Sequence, residues 1–196
     1  MVMYLSISKK ILSLLSFSLL FGIPSYAEIL DLNDSEALVQ TIIDEASKTM
    51  GKLVGAPEVR WEWGPRSQYD PHRKMISLNK DRFKGLSLAF VTAHEYAHHV
   101  QYSEDGEWKK STLRTELQAD CYAGIILATI PKISFDNEDM RDLLNTAYEV
   151  GDDKYEEPDH HGSGENRYLA FLSGIRFGNT NGQWKDKYFK MFCLAK

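Results

Sequence analysis

Only two cysteines occur in the 196-residue chain, so its fold cannot rest on a disulfide-dense framework. There are no internal repeats and no low-complexity tracts, which excludes solenoid and fibrous architectures. No apolar run reaches the roughly 20 residues that a membrane-spanning helix needs; the longest, from Ile11 to Ile23, is about 13. Basic residues are the minority, 23 Lys and Arg against 28 Asp and Glu, for a formal charge of −5. That balance disfavours nucleic acid or an anionic membrane surface as a partner.

What is present begins at the N-terminus. Lys9 and Lys10 precede the apolar run, Pro24 follows it, and Ser25-Tyr26-Ala27 places small residues at the two positions a signal peptidase reads. The pattern predicts a signal peptide over residues 1–27, cut before Glu28, and a single domain over 28–196. At about 170 residues this domain can bury a core unaided. The residue directly after the cleavage point is Glu28 rather than cysteine, which argues against a lipoprotein. The expected product is exported, periplasmic or secreted, without stable membrane insertion after cleavage, and loss of Lys9 and Lys10 takes its charge from −5 to −7. In an oxidising compartment Cys121 and Cys193 are expected to pair rather than remain as core thiols. Closing a loop of roughly 70 residues would stabilise the fold by about 4 kcal/mol on the chain-entropy model.

The chemistry lies further along. His94-Glu95-Tyr96-Ala97-His98 is an HExxH motif inside a run from Leu86 to Tyr102 that reads as one helix. Leu86, Phe90, Ala93, Ala97 and Val100 follow a helical rhythm, and no Pro or Gly interrupts it between Gly85 and Gly106. Positions i and i+4 differ by about 40° of rotation and about 6 Å of rise, so both imidazoles can reach one zinc ion. Glu95 beside them is placed as the base for a water whose pKa zinc lowers. A catalytic zinc usually takes a third protein ligand, and Glu116, on a second predicted helix in Glu116-Leu117-Gln118-Ala119-Asp120, is the candidate. Asp120, one turn on, can accept the outward ring N–H of His94 and fix its tautomer. Leu113, Leu117, Cys121 and Ile125 predict a buried stripe beside these carboxylates, and buried acids need partners. Cys121 points about 100° away from Asp120 around the helix, so it is not read as a ligand.

HEYAHHVQ (His94 to Gln101), ELQADCYAG (Glu116 to Gly124), Gly151-Asp152-Asp153 and His161-Gly162-Ser163, in that order, resemble the bacterial neutral zinc metallopeptidases. The resemblance runs over roughly residues 69 to 178. It implies a zincin of the glutamate-ligand type, with zinc on His94, His98 and Glu116 and with Glu95 as general base. It also places His161 in the family's HG motif, where a donor to the developing oxyanion would stand; Arg167, further on, is the alternative donor. The family commonly has Gly where this chain has Ala97, which is small enough to keep the helices close. His99 points away from the shared face and reads as packing or support, and His72 reads as a surface histidine.

Elsewhere, Asp34 can cap a helix ending near Met50, with Gly51 to Pro57 breaking it. Val59 to Trp63 and Met75 to Leu78 read as strands joined through the turn-rich Gly64 to His72 segment. Pro131 ends the Glu116 helix, Asp136 caps another, Gly151 stops that one, and a last amphipathic helix spans about Glu165 to Phe177. The expected fold is α+β and zincin-like, mainly helical, with a small antiparallel or mixed sheet beside the HExxH helix. The expected activity is zinc-dependent hydrolysis of a peptide or protein substrate. The other readings are a dormant or structural zinc site in a peptide-binding, chaperone-like envelope module, and a hydrolase acting on another amide such as a peptidoglycan cross-link.

Overall fold

The computed structural model describes residues 31–105, 113–131, 133, 135–153, 161–180 and 188–194. The signal-peptide reading, and most of the acidic loop that precedes His161, lie outside these residues. The architecture is α+β: mostly helical, with one small mixed sheet.

Asp34 caps α1 (Ser35–Ala46) by accepting the backbone N–H of Ala37 at 3.1 Å. The helix passes the end expected near Met50, and the break falls later, within the expected Gly51 to Pro57 segment. The chain runs on through a π-helical turn (Ser47–Gly51) into α2 (Lys52–Val54), which ends at Gly55 in the left-handed region, φ 67°. Gly51 is buried against the ring of Tyr96, whose hydroxyl donates to Ser47 Oγ at 3.1 Å. Packing on the central helix thus carries the backbone past a residue that is a weak helix former on its own.

Three short strands follow. β1 (Arg60–Trp63) and β3 (Met75–Leu78) pair in parallel, Arg60 opposite Met75 and Trp63 opposite Leu78. β2 (Gln68–Asp70) pairs antiparallel on the other side of β3, Gln68 opposite Ser77, so β2 is an edge strand. β2 lies within the segment expected to be only a connection; three residues are too short to show an alternation, and Pro65 and Pro71 flank them. Asp70 Oδ1 accepts the N–H groups of His72 and Arg73 and closes the hairpin into β3, leaving His72 exposed.

α3 (Gly85–Asp105) carries HExxH and is buried continuously from Leu88 to Gln101. It is wrapped by α1, by α4 (Leu113–Thr129), by α5 (Asn137–Glu149) and by β2 and β3. α6 (Gly164–Gly178) lies along α4 at backbone contact: a Cβ on Gly124 would come within 2.4 Å of the Phe171 carbonyl oxygen, and one on Gly174 within 2.0 Å of that of Cys121. α7 (Tyr188–Leu194) sets Phe189 against Tyr122, and Cys193 forms a disulfide with Cys121. The stripe expected through Leu113 begins later than predicted. Leu113 is 39% exposed, and the unbroken burial on α4 starts at Ala119, because the first turn of α4 lies against the His161-Gly162 loop rather than in the core.

Candidate metal centre

His94, Glu95 and His98 on α3, and Glu116 on α4, open on one cleft of about 530 Å³, lined also by β2 and by His161. His94 Nε2 stands 3.0 Å from His98 Nε2 and 3.3 Å from Glu116 Oε2, and His98 Nε2 is 3.5 Å from Glu116 Oε1. These three are the group of side chains among the described residues whose donor atoms could hold one metal ion. Ligands about 2.0–2.1 Å from a tetrahedral ion lie about 3.3 Å from one another, which the observed separations bracket.

The outward ring nitrogens are committed elsewhere. His94 Nδ1 donates to Asp120 Oδ1 at 2.9 Å, and His98 Nδ1 donates to Gln101 Oε1 at 2.8 Å. That leaves both Nε2 lone pairs and the Glu116 carboxylate facing one point, an arrangement that calls for a positive charge there. A metal ion fits this donor set. The electrostatics agree. Burial pushes His94 down, but the Asp120 and Glu116 carboxylates outweigh it and raise its pKa to about 9. Burial and the neighbouring His94 push His98 down to about 4, so it is neutral. Burial pushes Glu116 up, yet bonds from His161 and His94 hold its carboxyl well below the usual range. Glu95 is driven up by burial to about 7, against the opposing pull of His94 and of the backbone N–H of Tyr69.

Behind the ligands stands an ion pair. Asp120 is fully buried, and Arg167 on α6, 4% exposed, grips it with a two-pronged fork: Nε to Oδ2 and Nη2 to Oδ1, both 2.8 Å. Arg167 Nη1 also donates to the Val150 carbonyl at 3.3 Å. The 3.2 Å between Nη2 and His94 Nδ1 follows from two donors meeting at the same oxygen. Arg167 is therefore spent on holding Asp120 and is not placed as an oxyanion donor. His161, by contrast, lies at the mouth of the cleft with its side chain 47% exposed and Nδ1 3.3 Å from Glu116 Oε2. Asp152 Oδ2 accepts its backbone N–H at 3.1 Å, and Gly162, at φ 100°, turns the chain towards α4.

Three supporting sets of contacts were not read in the amino-acid pattern, although His99 itself reads there as packing or support. Gln101 holds His98 and is itself held, donating from Nε2 to Thr115 O and Gln118 Oε1 at 2.9 Å each. Its i+3 spacing from His98 was the available signal. His99 is fully buried between the Tyr69 hydroxyl and the Pro57 carbonyl, at 2.9 Å each; Nε2 donates to the carbonyl, so Nδ1 accepts from Tyr69. This ties β2 to α3, the helix that carries Glu95. The third is the Arg167 fork, 47 residues from Asp120 in sequence.

This geometry agrees with the comparisons. A family model described as "Putative neutral zinc metallopeptidase" matches residues 81–183, and the chain belongs to that family. The chain is similar to the uncharacterized protein YpfJ of Escherichia coli K12, 28% identical over 137 residues, covering 58% of this chain and 46% of YpfJ. It is also similar to the uncharacterized protein Rv2575 of Mycobacterium tuberculosis H37Rv, 34% identical over 121 residues, covering 47% of this chain and 41% of Rv2575. The chain thus spans less than half the length of these relatives. No solved structure matches it significantly.

Proposed function

We propose that the protein is an exported zinc-dependent metallopeptidase, in which His94, His98 and Glu116 hold the metal and Glu95 is the general base. The observation that carries this reading is the convergence of those three donors with both outward imidazole nitrogens already bonded, beside a buried carboxylate in an open cleft. A zinc ion held there would supply Lewis acidity, polarising a scissile carbonyl and lowering the pKa of an attacking water. Glu95 is placed to act as the base, and would take a proton from an attacking water and return it to the leaving amine. The Tyr69 backbone favours the charged form of the Glu95 carboxylate, and the His99 link ties β2 to α3 beside it. His161 has Nδ1 turned to Glu116, which leaves Nε2 as the ring nitrogen for the carbonyl oxygen as charge builds on it. β2, an edge strand on the cleft, offers backbone groups to an extended peptide.

Export is supported by the N-terminal Lys9-Lys10, apolar run and Ser25-Tyr26-Ala27 pattern, and by the Cys121–Cys193 disulfide, which persists in oxidising compartments. The partners in this reading are peptides or proteins. Neither nucleic acid nor membrane suits the acidic charge.

The test uses purified protein, its zinc content measured by plasma mass spectrometry, and quenched fluorogenic peptides or casein with and without a chelator. Glu95→Gln should bind zinc stoichiometrically and show no hydrolysis. A fully active Glu95→Gln protein would sink the assignment, and stoichiometric zinc without cleavage by the wild type would favour a binding module.

A further inference from the structure

Among the described residues, setting aside those that could hold a metal or that support its donors, the charged side chains that line the cleft are Arg66 and Arg82. Glu95 and Glu116 belong to the centre itself, and Arg167 is spent on Asp120. Neither Arg66 nor Arg82 has a carboxylate within salt-bridge distance among the described residues, whereas Arg73, in the turn between β2 and β3, pairs with Glu62 at 3.0 Å. Two guanidinium groups with no carboxylate partner among the described residues thus border a cleft in a chain whose net charge is −5.

Their placement is built rather than incidental. Arg66 lies in the β1–β2 connection and Arg82 in the turn between β3 and α3, and Asn79 fastens the two loops together. Asn79 Nδ2 donates to the Pro65 carbonyl at 2.8 Å and its backbone N–H to Ser67 Oγ at 3.0 Å. Its Oδ1 accepts the N–H groups of Asp81 and Arg82, at 3.0 Å each. The side chain of Asn79 therefore sets the residue before Arg66 and Arg82 itself, and its backbone N–H sets the residue after Arg66. The Arg82 guanidinium lies 5.0 Å from the centre of the Phe83 ring, and Phe83 lines the same cleft. Both arginines are exposed, so their charge stays in contact with water until a partner carboxylate arrives.

We infer that the cleft selects peptides with an acidic side chain close to the scissile bond, read by Arg66 and Arg82. The inference rests on the peptidase reading and gives it a substrate class. The planar guanidinium fork matches a carboxylate in two parallel hydrogen bonds, which an ammonium cannot do. A cleft bordered by one sign of charge concentrates ligands of the opposite sign and repels its own, and the effect weakens as salt screens it.

The experiment uses the full zinc-loaded protein and a fluorogenic peptide set identical except for Glu, Ala or Lys, placed in turn at each of the three positions on either side of the cleaved bond. At one or more positions kcat/KM should favour Glu over Lys by about tenfold or more at low salt, with the ratio shrinking in 0.5 M NaCl. The Arg66→Glu/Arg82→Glu protein should invert the ratio, and Arg66→Gln/Arg82→Gln should level it. Circular dichroism and zinc content verify that each variant is folded. A parallel arm measures fluorescence anisotropy of labelled Glu and Lys peptides on zinc-loaded Glu95→Gln protein. Cleavage with no charge preference, or with a preference the variants leave unchanged, overturns the inference while the peptidase reading stands. No cleavage, with binding that still favours Glu through Arg66 and Arg82, overturns the peptidase reading and leaves the charge selection intact. No cleavage and no selective binding overturns both.

Discussion

Replacing Arg167 with Met removes the fork that holds Asp120 while keeping much of the side chain's length. Asp120 is fully buried, and its two oxygens receive three hydrogen bonds: two from Arg167 and one from His94. After the substitution it retains only the His94 bond, in a site where burial alone drives its carboxyl up and where Arg167 was the first compensating influence. Removing one partner of a buried ion pair costs about 3–5 kcal/mol, because the survivor is left charged and poorly solvated. For a chain of this size that corresponds to a fall of about 6–20 °C in Tm. Asp120 also orients His94, so metal affinity should drop by about 10–100-fold. Thermal unfolding followed by circular dichroism, with and without zinc, and competition against a chromophoric chelator read the two effects separately. Arg167→Lys should be intermediate, since it keeps the charge but not the fork. Combining Arg167→Met with Asp120→Asn should cost less than the sum of the two single changes. If Arg167→Met unfolds within 1 °C of the wild type and binds zinc equally well, the reasoning fails.

Three further outcomes follow from the same geometry. Tyr69→Phe leaves His99 Nδ1 buried without its donor, costing about 1–3 kcal/mol in urea denaturation; if Tyr69 positions Glu95, kcat should fall by roughly tenfold with KM little changed. Gly162→Ala forces a left-handed φ of 100° and puts a Cβ 2.9 Å from Leu113 Cδ1. It should cost about 1–3 kcal/mol and lower activity without lowering zinc content, measured by calorimetry and mass spectrometry. Metal and proton should compete at His94: with its pKa raised to about 9, the apo protein carries that proton at pH 7.5 and must release it to bind. Zinc uptake should therefore release about one proton, seen by calorimetry in buffers of different ionisation enthalpy, and affinity should rise with pH up to about 9.

The residues that could hold a metal were legible because the spacing within each helix is local. His94 and His98 share one helix face, and so do Glu116 and Asp120 on the next helix, and 3.6-residue periodicity is visible in any sequence. The strand at Met75–Leu78 and the caps at Asp34 and Asp136 were readable for the same reason. What escaped is what tertiary packing decides. Arg167 meets Asp120 across two helices, and nothing near either residue announces the other. β2 exists because β3 offers it hydrogen bonds, not because Gln68-Tyr69-Asp70 has a pattern of its own. Gly51 stays helical because Tyr96 covers it, a contact across 45 residues of chain. The short α7 was missed because a single pair of turns carries too little periodicity to stand out.

The main-chain contact between α4 and α6 has a consequence for how this centre can change. Where helices meet through side chains, a substitution of one methylene shifts the axes by a fraction of an ångström and neighbours repack. Here the spacing at Gly124 and Gly174 is set by peptide groups alone, leaving nothing to trim or enlarge. The register of Arg167 against Asp120, and through it the aim of the His94 ring, is thereby insulated from drift in the surrounding core. The rims can then vary in sequence, Arg66 and Arg82 among them, while the centre keeps its dimensions.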